Sequence, residues 1–173
     1  MTETQETINA WATETFGPPA SVFEIAVRAN CEVAELLRVL SYDPECKIDR
    51  AAVEDEFADV TICLMHLEAV MCVKWGTNAA NRFFANALAD CTLLNRDFAR
   101  LVDLLRPEVE WASGEAQNKR YLVKSIERLL LSSAKAAGID LQAVIDAKMA
   151  VNRERRWVLK GNGTGQHVRE DAK

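Results

Sequence analysis

The sequence predicts an all-α protein, a bundle of antiparallel helices, on three observations. Ala, Leu, Glu and Arg dominate its 173 residues, while 7 Gly and 4 Pro leave too little turn chemistry for a many-stranded β fold. Apolar residues recur at three- and four-residue spacing, and no alternating run marks a strand. The breakers divide the chain into helix-length segments with short connections, which favour antiparallel neighbours.

Each element follows from its flanking signals. A first short helix is expected from Thr4 to Thr15, closed by Gly17-Pro18-Pro19. A long second helix runs to Leu40 and meets the polar turn Ser41-Tyr42-Asp43-Pro44. Asp49 is a suitable N-cap for a third helix reaching Trp75, where Gly76 stops it. Residues 78–105 read as a fourth helix before Pro107; Ser113 caps a fifth, ending at Gly138; Asp140 caps a sixth, to Trp157. The expected domain is 1–160, with 76–116 as a helical elaboration and 161–173 as a flexible tail.

The composition narrows the function. Apolar residues make up 49% and charged residues 27%, enough for a substantial core and against disorder. A net charge of −5, with cations clustered only at Arg153, Arg155 and Arg156, argues against binding duplex nucleic acid. The five cysteines are odd in number and form no C-x-x-C pair, so reduced, mostly buried thiols are expected. Neither a leader-like segment nor a membrane-length apolar run is visible, so the expectation is a soluble cytoplasmic protein without a membrane partner. The third helix carries Val53, Phe57, Val60, Ile62, Leu64, Met65, Leu67, Val70 and Met71 over most of its circumference. Such a helix must be buried on several sides, and a small bundle achieves that by forming a homo-oligomer, a dimer or tetramer.

Two acidic pairs, Glu32/Glu35 and Glu56/Asp59, stand at i,i+3. With 26 acidic residues, roughly four such pairs arise by chance, so spacing carries nothing by itself. Position carries more. On the helical wheel Glu56 and Asp59 fall among Ala52, Val60, Cys63, Leu67 and Val70, and Glu32 falls beside Ile25, Leu36 and Val39. Arg28, one turn before Glu32, compensates one acid and not four. If the second and third helices pack antiparallel, the pairs converge and a divalent cation becomes the natural counter-charge. An all-carboxylate set suits Mg²⁺ or Mn²⁺. Zinc does not fit scattered cysteines and only two histidines, His66 and His167. Near the far end, Lys148, Asn152 and Arg155 continue the stripe of Leu141, Val144 and Ile145, and beside a metal they could hold a polyphosphate.

Glu32-Val-Ala-Glu35, Glu56-Phe-Ala-Asp59 and Lys148-Met-Ala-Val-Asn152-Arg-Glu-Arg155 together resemble the E-x-x-E, E-x-x-D, K-x-x-x-N-x-x-R pattern of the MazG-like all-α nucleoside triphosphate pyrophosphohydrolases. The resemblance covers 5–75 and 117–157. It implies a metal-dependent hydrolase that converts a nucleoside triphosphate to monophosphate and pyrophosphate. Glu32, Glu35, Glu56 and Asp59 would hold Mg²⁺ or Mn²⁺, with Glu32 as general base and Glu35 its catalytic companion. Lys148, Asn152 and Arg155 would bind phosphates, and Trp11, Phe16 and Asn30 would contribute to a base pocket. Residues 163–168 are similar to the tail of phage-type members acting on dGTP and dATP, which implies purine deoxynucleotides and, for a phage protein, the host cytoplasm. Two alternatives stay open: a pyrimidine (dUTP/dCTP) pyrophosphohydrolase, and a non-catalytic helical dimerisation module. A di-metal oxidase of the bundle type needs Glu-x-x-His, which neither acidic pair supplies.

Overall fold

The computed structural model describes residues 2–41, 49–76, 87–106 and 115–168. Six helices follow in order, α1 (Gln5–Phe16), α2 (Val22–Leu40), α3 (Arg50–Val70), α4 (Ala87–Leu105), α5 (Glu115–Ala136) and α6 (Leu141–Glu154), then two short strands, β1 (Trp157–Leu159) and β2 (Gly165–His167). No helix among the described residues is long and apolar enough to cross a membrane.

Capping fixes most helix starts. Thr4 and Thr7 form a capping box at α1, Ser21 accepts from Glu24 N–H at α2, and Asp49 accepts from Ala51 and Ala52 at α3. Asp140 Oδ1 accepts from Ala143 N–H at 3.1 Å to start α6. The Ser113 cap falls outside the described residues, as does the stretch 78–86 that the sequence gives to the fourth helix.

Helix α3 ends earlier than expected. Cys72 takes a left-handed φ of 55°, and Val73 N–H reaches back to Glu68 C=O at 2.8 Å, which closes the helix at Val70 instead of Trp75. The Gln5 side chain holds the departing chain, donating to Val73 C=O at 2.8 Å and accepting from Trp75 N–H at 2.9 Å. At Gly138 (φ 67°) the expected stop of α5 is present, with Ile139 N–H bonded to Ala134 C=O at 2.9 Å.

Helix α3 is the axis of the molecule. One side contributes Val53, Phe57, Val60, Leu64 and Leu67 to a core shared with α2 (Ile25, Ala29, Val33, Leu36), α4 (Leu94, Phe98, Leu101) and α5 (Val123, Ile126, Leu130). The other side sets Ile62 and Met65 against Ile8 and Trp11 of α1 and Ile145 and Met149 of α6. Its apolar circumference is thus covered within one chain, by its own neighbours α1, α2, α5 and α6. The apolar circumference of α3 by itself therefore does not call for a second subunit. Phe57 is fully buried, and its truncation to Ala would cost about 3–5 kcal/mol.

The end of the chain departs most from expectation. Helix α6 stops at Glu154, and Trp157–Leu159 pairs antiparallel with Gly165–His167, so 165–167, placed in the flexible tail by the sequence, forms a strand. Positive φ at Gly161 and Gly163 turns the hairpin, Lys160 N–H bonds Thr164 C=O at 3.0 Å, and Asn162 Oδ1 accepts from Thr164 N–H at 3.1 Å. The hairpin docks on the α1–α2 turn: Ala20 N–H donates to Asn162 C=O and Asn162 Nδ2 donates to Glu24, both at 3.0 Å. Three-residue strands have no readable periodicity. This docking, and not strand propensity, holds them in place.

Candidate active site

Helices α2 and α3 pack along each other, and Glu35 lies about as far before the end of α2 as Glu56 lies after the start of α3. Consecutive helices folded back on one another bring such positions together. One carboxylate oxygen from each of Glu32, Glu35 and Glu56 lies within 4.8 Å of the other two. Glu32 is 2% exposed, Glu56 is half-buried and Glu35 is exposed, so the triad sits at the edge of the core and opens outward.

Electrostatics follow from that placement. Burial pushes the Glu32 carboxyl up to about 7; Arg28, its ion-pair partner one turn earlier, pulls it down, and Asp59, Glu35 and Glu56 push it up again. Glu56 is also raised to about 7, first by burial and then by the charges of Glu35 and Asp59, with Lys148 opposing. Three acids share one place with too little positive charge to satisfy them.

Asp59 is held differently. Its Oδ2 lies 2.7 Å from Lys148 Nζ, and the same ammonium lies 2.6 Å from Asp55 Oδ2. Burial raises the Asp59 carboxyl and Lys148 opposes the rise. Asp55, which the motif spacing does not pick out, is therefore part of the site. Arg155 is the residue that caps α6, not a member of its last turn, yet its guanidinium returns to Asn152 Oδ1 at 3.0 Å. Asn152 is buried, and its backbone carbonyl accepts from Trp157 Nε1 at 3.1 Å.

Two cavities meet here. The polar one, about 400 Å³, is lined by all four motif acids, Arg28 and Asp55, by Lys148, Asn152 and Arg155, and by the hairpin through Trp157 and residues 165–167. The apolar one, about 90 Å³, lies among Trp11, Phe16, Ile25, Ile62 and Trp157 and includes His66. Arg28, Glu32, Asp59, Asn152, Trp157 and Gly165 line both. Trp11, Phe16 and Trp157 form an edge-to-face trio with ring centroids 5.0–5.9 Å apart.

Of the residues expected in a base pocket, Trp11 and Phe16 line the apolar cavity. Asn30 does not: it lines neither cavity, and its buried Oδ1 has no hydrogen-bond partner among the described residues. The sequence missed Trp157 and His66. Trp157 reads as the end of a helix, and His66 as one more residue on the apolar α3. The cysteines also differ from expectation, since Cys91 is buried but Cys31 and Cys72 are exposed; Cys46 lies outside the described residues.

Comparison with known protein families, curated proteins and solved structures gave no match to this chain.

Proposed function

We propose that this protein is a divalent-metal-dependent nucleoside triphosphate pyrophosphohydrolase, releasing monophosphate and pyrophosphate, with purine deoxynucleotides favoured. The observation that carries the reading is the convergence of Glu32, Glu35 and Glu56 in a cavity also lined by Lys148 and Arg155. A carboxylate cluster and a pair of cations in one cavity suit a metal-bound polyphosphate better than either charge set suits an isolated anion or cation.

The donor set fits Mg²⁺ or Mn²⁺. It consists of carboxylate oxygens, with neither thiolate nor imidazole among the three, and their spacing lets them share one small ion. Burial and mutual repulsion raise Glu32 and Glu56, which a bound cation would reverse. When bound, the ion would polarise the phosphate oxygens and lower the pKa of the attacking water. Glu32, the buried member of the triad, would accept that water's proton as its oxygen attacks the α-phosphorus and the bond to the β-bridging oxygen breaks. Pyrophosphate then leaves. Arg155 supplies fixed positive charge to the phosphates, and Lys148 adds a second cation oriented by Asp55 and Asp59. The aromatic trio beside the cavity offers apolar faces for a base, and a purine presents the larger stacking area.

A panel of the common NTPs and dNTPs with Mg²⁺ or Mn²⁺, read by pyrophosphate release, tests the reading. Turnover by the natural chain and none by Glu56→Gln with unchanged helical content is expected. Release of orthophosphate in place of pyrophosphate, or full activity in Glu56→Gln, would overturn it. A dUTP or dCTP preference of about tenfold or more would overturn only the purine assignment.

A further inference from the structure

His66 stands on the side of α3 that faces α1, is only 7% exposed, and lines the apolar cavity beside Trp11 and Ile62. Its ring is not loose. Nδ1 lies 3.0 Å from Asn9 Oδ1, an oxygen that can only accept, so Nδ1 carries the ring proton. Nε2 is then left with a lone pair, and no hydrogen bond to it is present among the described residues. Burial lowers the imidazole's pKa, which keeps the ring neutral and preserves this acceptor.

Several of the other polar groups around the cavity are already engaged. Arg28 is paired with Glu32, and Asp59 with Lys148. The Thr164 hydroxyl and backbone N–H both donate to Asn162, and Asn152 Oδ1 accepts from Arg155. An oriented acceptor on an otherwise apolar and aromatic wall is the kind of group that reads the edge of a flat heterocycle.

We infer that His66 is a specificity-determining residue: its Nε2, oriented by Asn9, accepts a hydrogen bond from an exocyclic amino group, so the site selects amino-substituted bases over their oxo counterparts. The inference rests on the nucleotide reading above and deepens it. A base with a carbonyl at that edge would set two acceptors against each other and leave both unpaired in a poorly solvated cavity, which is far worse than one lost contact. Asn9 acts through His66 and is a positioning residue.

The test compares kcat/KM for the amino and oxo partners dATP and dITP, dGTP and dXTP, and dCTP and dUTP, in the natural chain and in two variants. His66→Phe keeps a planar ring and removes the acceptor. Asn9→Leu keeps the imidazole and releases its tautomer. The natural chain is expected to turn over its best amino-bearing substrate at least about tenfold better than the oxo partner. In His66→Phe that ratio should collapse towards one, from both sides, as the amino-bearing substrate loses its acceptor and the oxo partner loses the acceptor that opposed it; in Asn9→Leu it should fall part of the way. An unchanged ratio in folded His66→Phe, or a natural preference for dITP or dUTP, would overturn the inference and leave pyrophosphohydrolase activity standing. If His66→Phe does not fold, an unchanged ratio in Asn9→Leu decides against it. A natural chain that releases no pyrophosphate from any nucleotide removes both readings together.

Discussion

Lys148 Nζ lies 2.7 Å from Asp59 Oδ2, which ties the last helix to the acidic face of α3 at the mouth of the polar cavity. Lys148 is 6% exposed, so its charge is committed to this place; the second acid on it, Asp55, is exposed and adds less. Removing the cation leaves Asp59 desolvated and unpaired. Lys148→Met should therefore destabilise the fold by about 1–3 kcal/mol in denaturant titration, the lower end reflecting partial solvation of Asp59. Pyrophosphate release should drop about 10²–10³-fold. Adding Asp59→Asn should recover stability without recovering activity. A double variant no more stable than Lys148→Met would show that the pair is not what holds α6 to α3.

A second buried acid makes a prediction about pH. Glu68 is fully buried near the end of α3, neither of its oxygens has a hydrogen-bond partner among the described residues, and Lys124 lies 3.6 Å away. Burial raises its carboxyl to about 7, with Lys124 opposing. The unfolded chain releases this proton near pH 4.5, whereas the folded chain keeps it to about 7. Between those values the folded state binds more protons, so this group's contribution to stability is present at low pH and is lost as pH rises through 7. Glu68→Gln should leave Tm nearly unchanged at pH 5, raise it at pH 8 and flatten the slope between. Equal slopes in the two chains would contradict the assignment.

The sequence made the acidic core of the site legible because Glu32, Glu56 and Asp59 interrupt apolar stripes, and a carboxylate in such a stripe needs a physical reason. It made Asp49, Asp140 and Gly138 legible because caps and stops act through local backbone geometry. Asp55 was not legible: one position before Glu56, it gains its role only from a lysine 93 residues away. His66 was hidden by its own setting, since nothing local says that Asn9 of another helix meets its ring. The ground for expecting a subunit contact weakens for a related reason. Apolar positions show that α3 must be covered, but not that α1 and α6 of the same chain cover it.

Metal binding should be visible without turnover. An ion that binds the folded triad and not the unfolded chain stabilises by mass action, about 2.7 kcal/mol at a hundredfold excess over Kd. Saturating Mn²⁺ should therefore raise Tm in the natural chain and much less in Glu56→Gln. Glu35→Gln should behave similarly, because Glu35 is the exposed member of the triad and has no packing role to confuse the result. A Tm unmoved by Mn²⁺ in the natural chain would count against the site directly.

The hairpin gives the last prediction, because it separates a wall of the site from a dispensable end of the chain. A side-chain carbon at Gly163 would lie 2.2 Å from Pro19 Cα, and one at Gly165 would lie 2.6 Å from the Phe16 ring. Gly163 also holds a φ of 81°, which disfavours any L side chain. Gly165 lacks that constraint, so its substitution tests close approach alone. Gly165→Val should push the hairpin away from Phe16 and open the wall that Trp157 and Gly165 provide to both cavities. The six helices carry the two cores without it, so helical content should be unchanged and stability should fall by no more than about 1–2 kcal/mol. KM should rise about tenfold or more while kcat changes less, because base and phosphate contacts are loosened but the carboxylate triad on α2 and α3 is untouched. A chain shortened after Arg156, which keeps Arg155, should show the same split more strongly. Loss of kcat with KM preserved would place the hairpin in the chemistry itself, and unchanged kinetics would return 161–168 to the status of a tail.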